Sequence, residues 1–155
     1  MSGMDFSEYR AKLVQLGADL DESARRTLTR MNAKGMEVTK KATPTGKYPS
    51  IVTFTTKEGK VVSFKVTPKI GGTAKKNWIN GGTHRAGNGY ESRYYNNTFY
   101  IGYVNDGHRV VNRRGETVGY QEGVRMLEQG QNAARQSADA IFNAEIQRVK
   151  QKGGW

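Results

Sequence analysis

Residues 5–31 read DFSEYRAKLVQLGADLDESARRTLTRM. Phe6, Tyr9, Leu13, Leu16, Leu20, Ala24, Leu28 and Met31 recur in steps of three or four. That spacing sets them on one side of an α-helix, because about 3.6 residues complete each turn. Asp5 and Glu8 have the spacing of a capping box, in which an acceptor side chain satisfies the first free amides of a helix. Gly17 and the acidic cluster of Asp19, Asp21 and Glu22 break the regularity. The pattern predicts a helix over 5–41, in one or two pieces, with its apolar stripe turned to the core. Pro44 and Gly46 end it.

Working outward, the helical period returns from Glu122. Val124, Leu127, Ala134, Ala138, Ile141 or Phe142, Ile146 and Val149 mark one face of a predicted helix over 122–152. Lys150 and Lys152 suit the negative end of its dipole, and Gly153-Gly154 stop it. Between the helices, 50–56 and 61–67 alternate apolar and polar residues around Lys57-Glu58-Gly59-Lys60. They read as a hairpin with one apolar face. Residues 90–95 and 98–104 read as a second hairpin around Asn96-Asn97, a pair that tolerates left-handed backbone. Residues 68–89 read as mostly loop, with Ile70, Trp78 and Ile79 its large apolar residues. Residues 105–119 read as a long polar loop with a short strand at Val110-Val111. The predicted class is α+β: a long N-terminal helix, a small antiparallel sheet built from two hairpins, and a long C-terminal helix packed on the sheet. The 155 residues fit one domain over 1–155, with the sheet and basic loops over 48–118.

The chain carries 25 Lys+Arg against 14 Asp+Glu, a formal net charge of +11. The excess is local. Residues 1–39 and 116–155 are each balanced, whereas 40–115 hold fourteen Lys+Arg against Glu58, Glu91 and Asp106. A basic, Gly- and Tyr-rich centre therefore lies between two neutral helical ends, and it invites a polyanion or an acidic partner. There is no cysteine, which excludes disulfides, cysteine metal sites and thiol catalysis. Two histidines exclude a histidine-rich metal site, so no metal and no cofactor is expected. No apolar run is long enough for a secretory signal or a membrane span. A cytoplasm-like compartment and no membrane partner are expected.

Motifs for chemistry are sparse. Gly46-Lys47 lacks the upstream glycine and the following Ser or Thr of a phosphate-binding loop. His84 and His108 are candidates for acid and base in a metal-free nuclease, with Arg85, Arg109 and Tyr103 in support. Their bland alternative is ordinary loop histidines. Lys, Arg and Tyr interleaved through 40–114 suit a nucleic-acid backbone, although the RNP1 pattern of RNA-binding domains is absent.

Four short motifs follow one another in order. Ala42-Thr43-Pro44-Thr45-Gly46 comes after the first helix. Gly71-Gly72-Thr73-Ala74-Lys75-Lys76-Asn77-Trp78 comes next. Then comes the run from Tyr95 to Arg109, containing Tyr103-Val104-Asn105-Asp106-Gly107-His108-Arg109. Gly119-Tyr120-Gln121-Glu122-Gly123-Val124-Arg125-Met126-Leu127 leads into the last helix. In this order they resemble the head–tail joining, or tail-completion, proteins of long-tailed double-stranded DNA phages. Those proteins carry Ala-Pro-Val-Asp-Thr-Gly, Gly-x-Leu-x-x-Ser-Trp, Tyr-Val-Glu-x-Gly-His-Arg and Val-x-Gly-x-x-Met-Leu. The 50–67 hairpin departs from the pattern by separating two motifs that usually run together. Asn105-Asp106 replaces Glu-x.

The resemblance implies a non-enzymatic structural protein of the virion neck. It would form a homo-oligomeric ring between tail and head, made in the host cytoplasm, with neck and tail proteins and packaged double-stranded DNA as partners. On that basis Trp78, Tyr103, His108 and Arg109 are interface candidates, with a core role the competing reading for Trp78 and Tyr103. Arg85, Arg109, Arg113 and Arg114 are candidates to face the DNA channel. The alternatives are a basic nucleic-acid-binding module outside any virion and the nuclease using His84 and His108.

Overall fold

The computed structural model describes residues 6–46, 50–66 and 71–153. The N-cap reading of Asp5, the stop at Gly154 and the reading of Ile70 fall outside these residues. Helix α1 runs unbroken over Phe6–Ala42 and α4 over Met126–Gly153. Gly17 and the acidic cluster leave α1 in one piece. Between them lie β1 (Ile51–Thr55), β2 (Val61–Lys65), the short α2 (Thr73–Lys76), β3 (Trp78–Ala86), β4 (Gly89–Asn96), α3 (Ile101–Asp106), β5 (Gly107–Val111) and β6 (Thr117–Glu122). The predicted α+β class holds, with a long helix at each end and antiparallel hairpins between.

The strands form three separate two-stranded ribbons, β1–β2, β3–β4 and β5–β6, rather than one sheet of two hairpins. The first ribbon is as predicted. Its register pairs Val52 with Phe64 and Phe54 with Val62, which puts all four on one face. The second is not. β4 pairs with β3, a segment read as loop, around Gly87-Asn88, and 98–104 turns into α3. Asn96 causes this switch. Its Oδ1 accepts from the Thr98 amide at 2.9 Å and its Nδ2 donates to Ala74 O at 2.6 Å, an Asx turn that closes the strand. The third ribbon occupies the predicted polar loop and extends to Glu122, so α4 begins at Met126 and not at 122.

α1 and α4 pack antiparallel. Thr43 lies at Met126, Gly35 at Gly130 and Ala134, Arg26 at Glu145 and Asp19 at Lys152. The predicted leucine stripe of α1 is not the buried face. The helix buries Asp19, Ser23, Thr27, Asn32, Gly35 and Thr39, while Phe6, Tyr9, Leu13 and Leu20 remain exposed. The reason lies in α4, which offers glycine, alanine and charged groups along the seam. Small residues at Gly35 and Gly130 let the backbones approach, and a Cβ at Gly130 would overlap Thr39 Oγ1 and lie 2.6 Å from Gly35 O. On α4, Met126, Gly130, Glu145 and Val149 are buried, whereas Phe142 is exposed and Ile141 half-buried.

The β3–β4 ribbon lies along α1. Asn32 Nδ2 donates to Asn80 Oδ1 at 2.9 Å, Thr29 and Thr83 hydroxyls meet at 2.7 Å, and Tyr90 donates to Asp21 at 2.6 Å. Tyr94 reaches the crossing of both helices, where its hydroxyl meets Thr39 Oγ1 at 2.9 Å. The other two ribbons make no comparable packing with the helix pair.

Candidate assembly interface

The four sequence motifs meet at the end of the helix pair where α1 finishes and α4 begins. Thr43 Oγ1 donates to Thr39 O at 2.7 Å and accepts from Trp78 Nε1 at 2.8 Å, with Met126 Sδ at 3.3 Å. Trp78 is 7% exposed and meets Tyr94 edge-on at 5.8 Å between ring centroids. A buried indole with its N–H satisfied is core, so Trp78 is out of a partner's reach in this fold. Gly71 lies against Gly46, joining the first two motifs backbone to backbone.

The third and fourth motifs lock together beside this junction. Asn105, 4% exposed, accepts the Leu127 amide on its Oδ1 at 2.9 Å and caps the start of α4. Its carbonyl accepts the Arg125 amide at 3.0 Å, and Val104 O accepts Val124 N at 2.9 Å. Gly123 has no room for a Cβ, which would strike Asn105 O and lie 2.5 Å from the Gly107 amide nitrogen. Gly107 has φ +87, and a Cβ there would lie 2.6 Å from Gln121 O. These residues hold the root of the β5–β6 ribbon. Sequence reading singled out neither Thr43, Asn105, Gly107 nor Gly123 as a positioning group. Their motif membership was the available signal.

From that root the β5–β6 ribbon stands into solvent, with every residue after Gly107 exposed on both strands. Tyr103 is 61% exposed and meets His108 edge-on at 6.0 Å. Together with Tyr100, Val104, Arg109 and Val111 they line an open depression of about 620 Å³. Arg113 and Arg114 lie in the connecting turn, where Asn112 Oδ1 accepts the amides of Arg114 and Glu116 at 2.9 and 3.0 Å. Arg85 is elsewhere. It sits on β3, pairs with Asp21 of α1 at 3.5 Å and lies 5.7 Å over the Tyr90 ring. The four candidate channel arginines are thus split, with Arg109, Arg113 and Arg114 on one ribbon and Arg85 tied to a helix.

His84 and His108 are also on different ribbons. His84 Nε2 meets Gly81 O at 2.7 Å and lines a small depression with Arg85, Glu91 and Arg93. The two histidines line different depressions, so this arrangement gives the acid–base pair no shared site. Among the described residues no group of carboxylates and histidines has the arrangement to hold a metal ion. No helix among them is long and apolar enough to cross a membrane.

Charges divide by region. Along the α1–α4 seam, Glu145 is 1% exposed and meets Arg26 at 3.0 Å, Arg30 at 3.0 Å and Arg148 at 2.8 Å. Burial pushes its carboxyl pKa up, but hydrogen bonds from Arg148 and Arg26 and the charges of Arg26 and Arg30 outweigh that and hold it below the usual glutamate value. Asp19 is held below its usual value first by the Lys152 hydrogen bond, at 2.6 Å. On the ribbons, by contrast, Lys57, Lys60, Lys65, Arg93, Arg109, Arg113 and Arg114 belong to none of the ion pairs of the described residues.

The chain exposes more surface than a compact protein of its mass. A compact protein of this mass exposes about 7,800 Å². This chain exposes 11722 Å². Ala74, Trp78, Met126 and Val149 are its only buried hydrophobic residues among those described, while Phe6, Phe54, Phe64, Phe99, Tyr120 and Phe142 all remain exposed. No known protein family, curated protein or solved structure matches the chain.

Proposed function

We propose that this protein is a structural component of the neck of a long-tailed phage, one copy of a homo-oligomeric ring that joins tail to head around the DNA channel. The observation that carries the reading is the mismatch between area and core. A chain that exposes 11722 Å² and buries so few hydrophobic side chains completes its packing against other molecules. The ordered motifs that resemble tail-completion proteins give the class of assembly. Their convergence on one junction supports reading them as a set. The unpaired cations on projecting ribbons suit a channel that passes DNA or a neighbouring ring with acidic loops.

Under this reading Tyr103, His108 and Arg109 form part of a contact surface at the root of the β5–β6 ribbon, with Arg113 and Arg114 at its tip. The role is non-enzymatic and needs no cofactor. Particles made without the protein are expected to show separate heads and tails in negative-stain images. Joined, infectious particles in its absence overturn the reading. A stand-alone nucleic-acid-binding module instead requires tight, salt-sensitive and sequence-selective binding by the isolated monomer.

A further inference from the structure

Two apolar faces of this chain cover nothing among the described residues. One is the N-terminal segment of α1. Lys152 meets Asp19 one residue before α4 ends at Gly153, and α1 continues past that point over residues 6–18. Phe6, Tyr9, Leu13, Leu16 and Leu20 fall at alternating steps of three and four, the seam by which a helix takes a partner. Phe6 is 80% exposed, and Tyr9, Leu13 and Leu20 are exposed with it. The other is the β1–β2 ribbon, whose Val52, Phe54, Val62 and Phe64 share one face, with Phe54 edge-on to Phe64 at 6.2 Å. A lone two-stranded ribbon is marginal in water without a packing partner.

The two faces suit one another. Residues 6–18 rise about 20 Å as a helix. Five-residue strands span about 17 Å. A helix laid on a ribbon is an ordinary layer packing. The charges are opposite. Residues 6–22 hold Glu8, Asp19, Asp21 and Glu22 against Arg10 and Lys12, net −2. Residues 50–66 hold Lys57, Lys60 and Lys65 against Glu58, net +2. Glu8, Glu22 and the three ribbon lysines enter no ion pair among the described residues. The exposed parts of these side chains amount to roughly 600 Å², enough for the apolar centre of a standard interface of about 1,600 Å².

We propose that the β1–β2 ribbon of one copy packs across the N-terminal segment of α1 in the next copy. Because the faces are unlike, one contact leaves the pair with one free face of each kind, and head-to-tail repetition of that contact gives a ring when the rotation closes, whereas two copies meeting reciprocally would stop at a dimer. The inference rests on the ring reading above and assigns the 50–66 hairpin its role there.

The absence of cysteine makes the test direct. Full-length Leu13→Cys, Phe54→Cys and the double variant are oxidised mildly, alone and as a mixture of the two single variants. The expected result is no linked product from either single variant, dimers from the mixture, and a ladder of dimers, trimers and higher multimers from the double variant. Phe54→Ser with Phe64→Ser is expected to abolish multimers on native mass measurement while leaving the helical circular dichroism unchanged. Multimers that form without the 13–54 link, or links between like positions, overturn this contact and leave the ring reading standing. A chain that stays monomeric to millimolar concentration, both alone and with tail tubes, overturns both.

Discussion

The helix pair and the projecting ribbons solve the same problem in opposite ways. Along α1–α4 every buried charge has a partner, with Glu145 alone meeting three arginines. Where the backbones approach, glycines make the space. On β1–β2 and β5–β6 the cations are unpaired and the apolar side chains exposed. Backbone pairing builds these ribbons, but among the described residues neither packs on the helix pair as β3–β4 does. The difference teaches that the fold is finished in one region and left open in the other. Lys57, Lys60, Lys65, Arg109, Arg113 and Arg114, which enter no ion pair among the described residues, all lie in the open region.

The sharpest way to break the closed region is at its junction. Trp78→Ala removes an indole that fills the space between Thr43, Tyr94 and Met126 and leaves Thr43 without its donor. A loss of about 3–5 kcal/mol in urea unfolding is expected, as for other large-to-Ala core changes. If Trp78 served a partner and not the core, the isolated protein would lose almost nothing. Gly130→Ala is the next largest. The new Cβ would lie 2.6 Å from Gly35 O and 2.7 Å from Tyr94 Oη, both well-packed groups. Overpacking of this kind costs about 1–3 kcal/mol, against a helix-propensity gain of about 1 kcal/mol on an unobstructed helix. An unchanged or raised melting temperature would show that the helices can separate cheaply.

Glu145→Gln probes the polar part of the seam. It removes the carboxylate that Arg26, Arg30 and Arg148 share, and these cations are partly exposed. The cost is expected at roughly 1–3 kcal/mol, between the limits for surface and buried pairs. The pH dependence has a definite sign. Glu145 binds its proton less readily folded than unfolded. Below the ordinary glutamate range, about pH 4.3, the unfolded state therefore takes up more protons, and stability falls as pH falls. That contribution is fully present above this range. The Gln variant should lose stability less steeply in acid than the wild type, by thermal melts from pH 6 to pH 3, a span chosen to bracket about pH 4.3. Parallel curves would show that Glu145 is not the group that titrates.

How much of this was legible in sequence follows the same division. Both long helices were readable, since their 3.6-residue period is a local signal. The β1–β2 hairpin was readable down to its apolar face. The buried side of α1 was not, because the decision lay with α4: Gly130 and Glu145 select Gly35, Thr39 and Arg26 as neighbours, 91 or more positions away in the chain. β3 was missed because Gly81 and Gly82 interrupt its alternation at a register shift. The run Thr98-Phe99-Tyr100-Ile101 has strand propensity, yet Asn96 turns the chain and Phe99 ends 91% exposed. Among the candidate site residues, motif membership pointed to Tyr103, His108 and Arg109, which line one depression. It could not separate Trp78, which is core, from Tyr103, His108 and Arg109, which face solvent.

The smallest expected effect on stability, and the most informative for the open region, is charge reversal on the β5–β6 ribbon. Arg109→Glu, Arg113→Glu and Arg114→Glu together remove three cations that form no ion pair in the described residues. Changes at such surface positions shift stability by about 0.5 kcal/mol or less each. The melting temperature should therefore barely move, whereas DNA retention in assembled particles and their infectivity should fall sharply. The same reversal at Arg85 behaves differently, because it sets a carboxylate beside Asp21 on α1. There a small loss of stability is expected with little effect on DNA retention. If all four positions give one phenotype, the ribbon has no special relation to the channel. If only the ribbon variants release DNA from otherwise joined particles, the unpaired charge is a property of the passage and not of the fold.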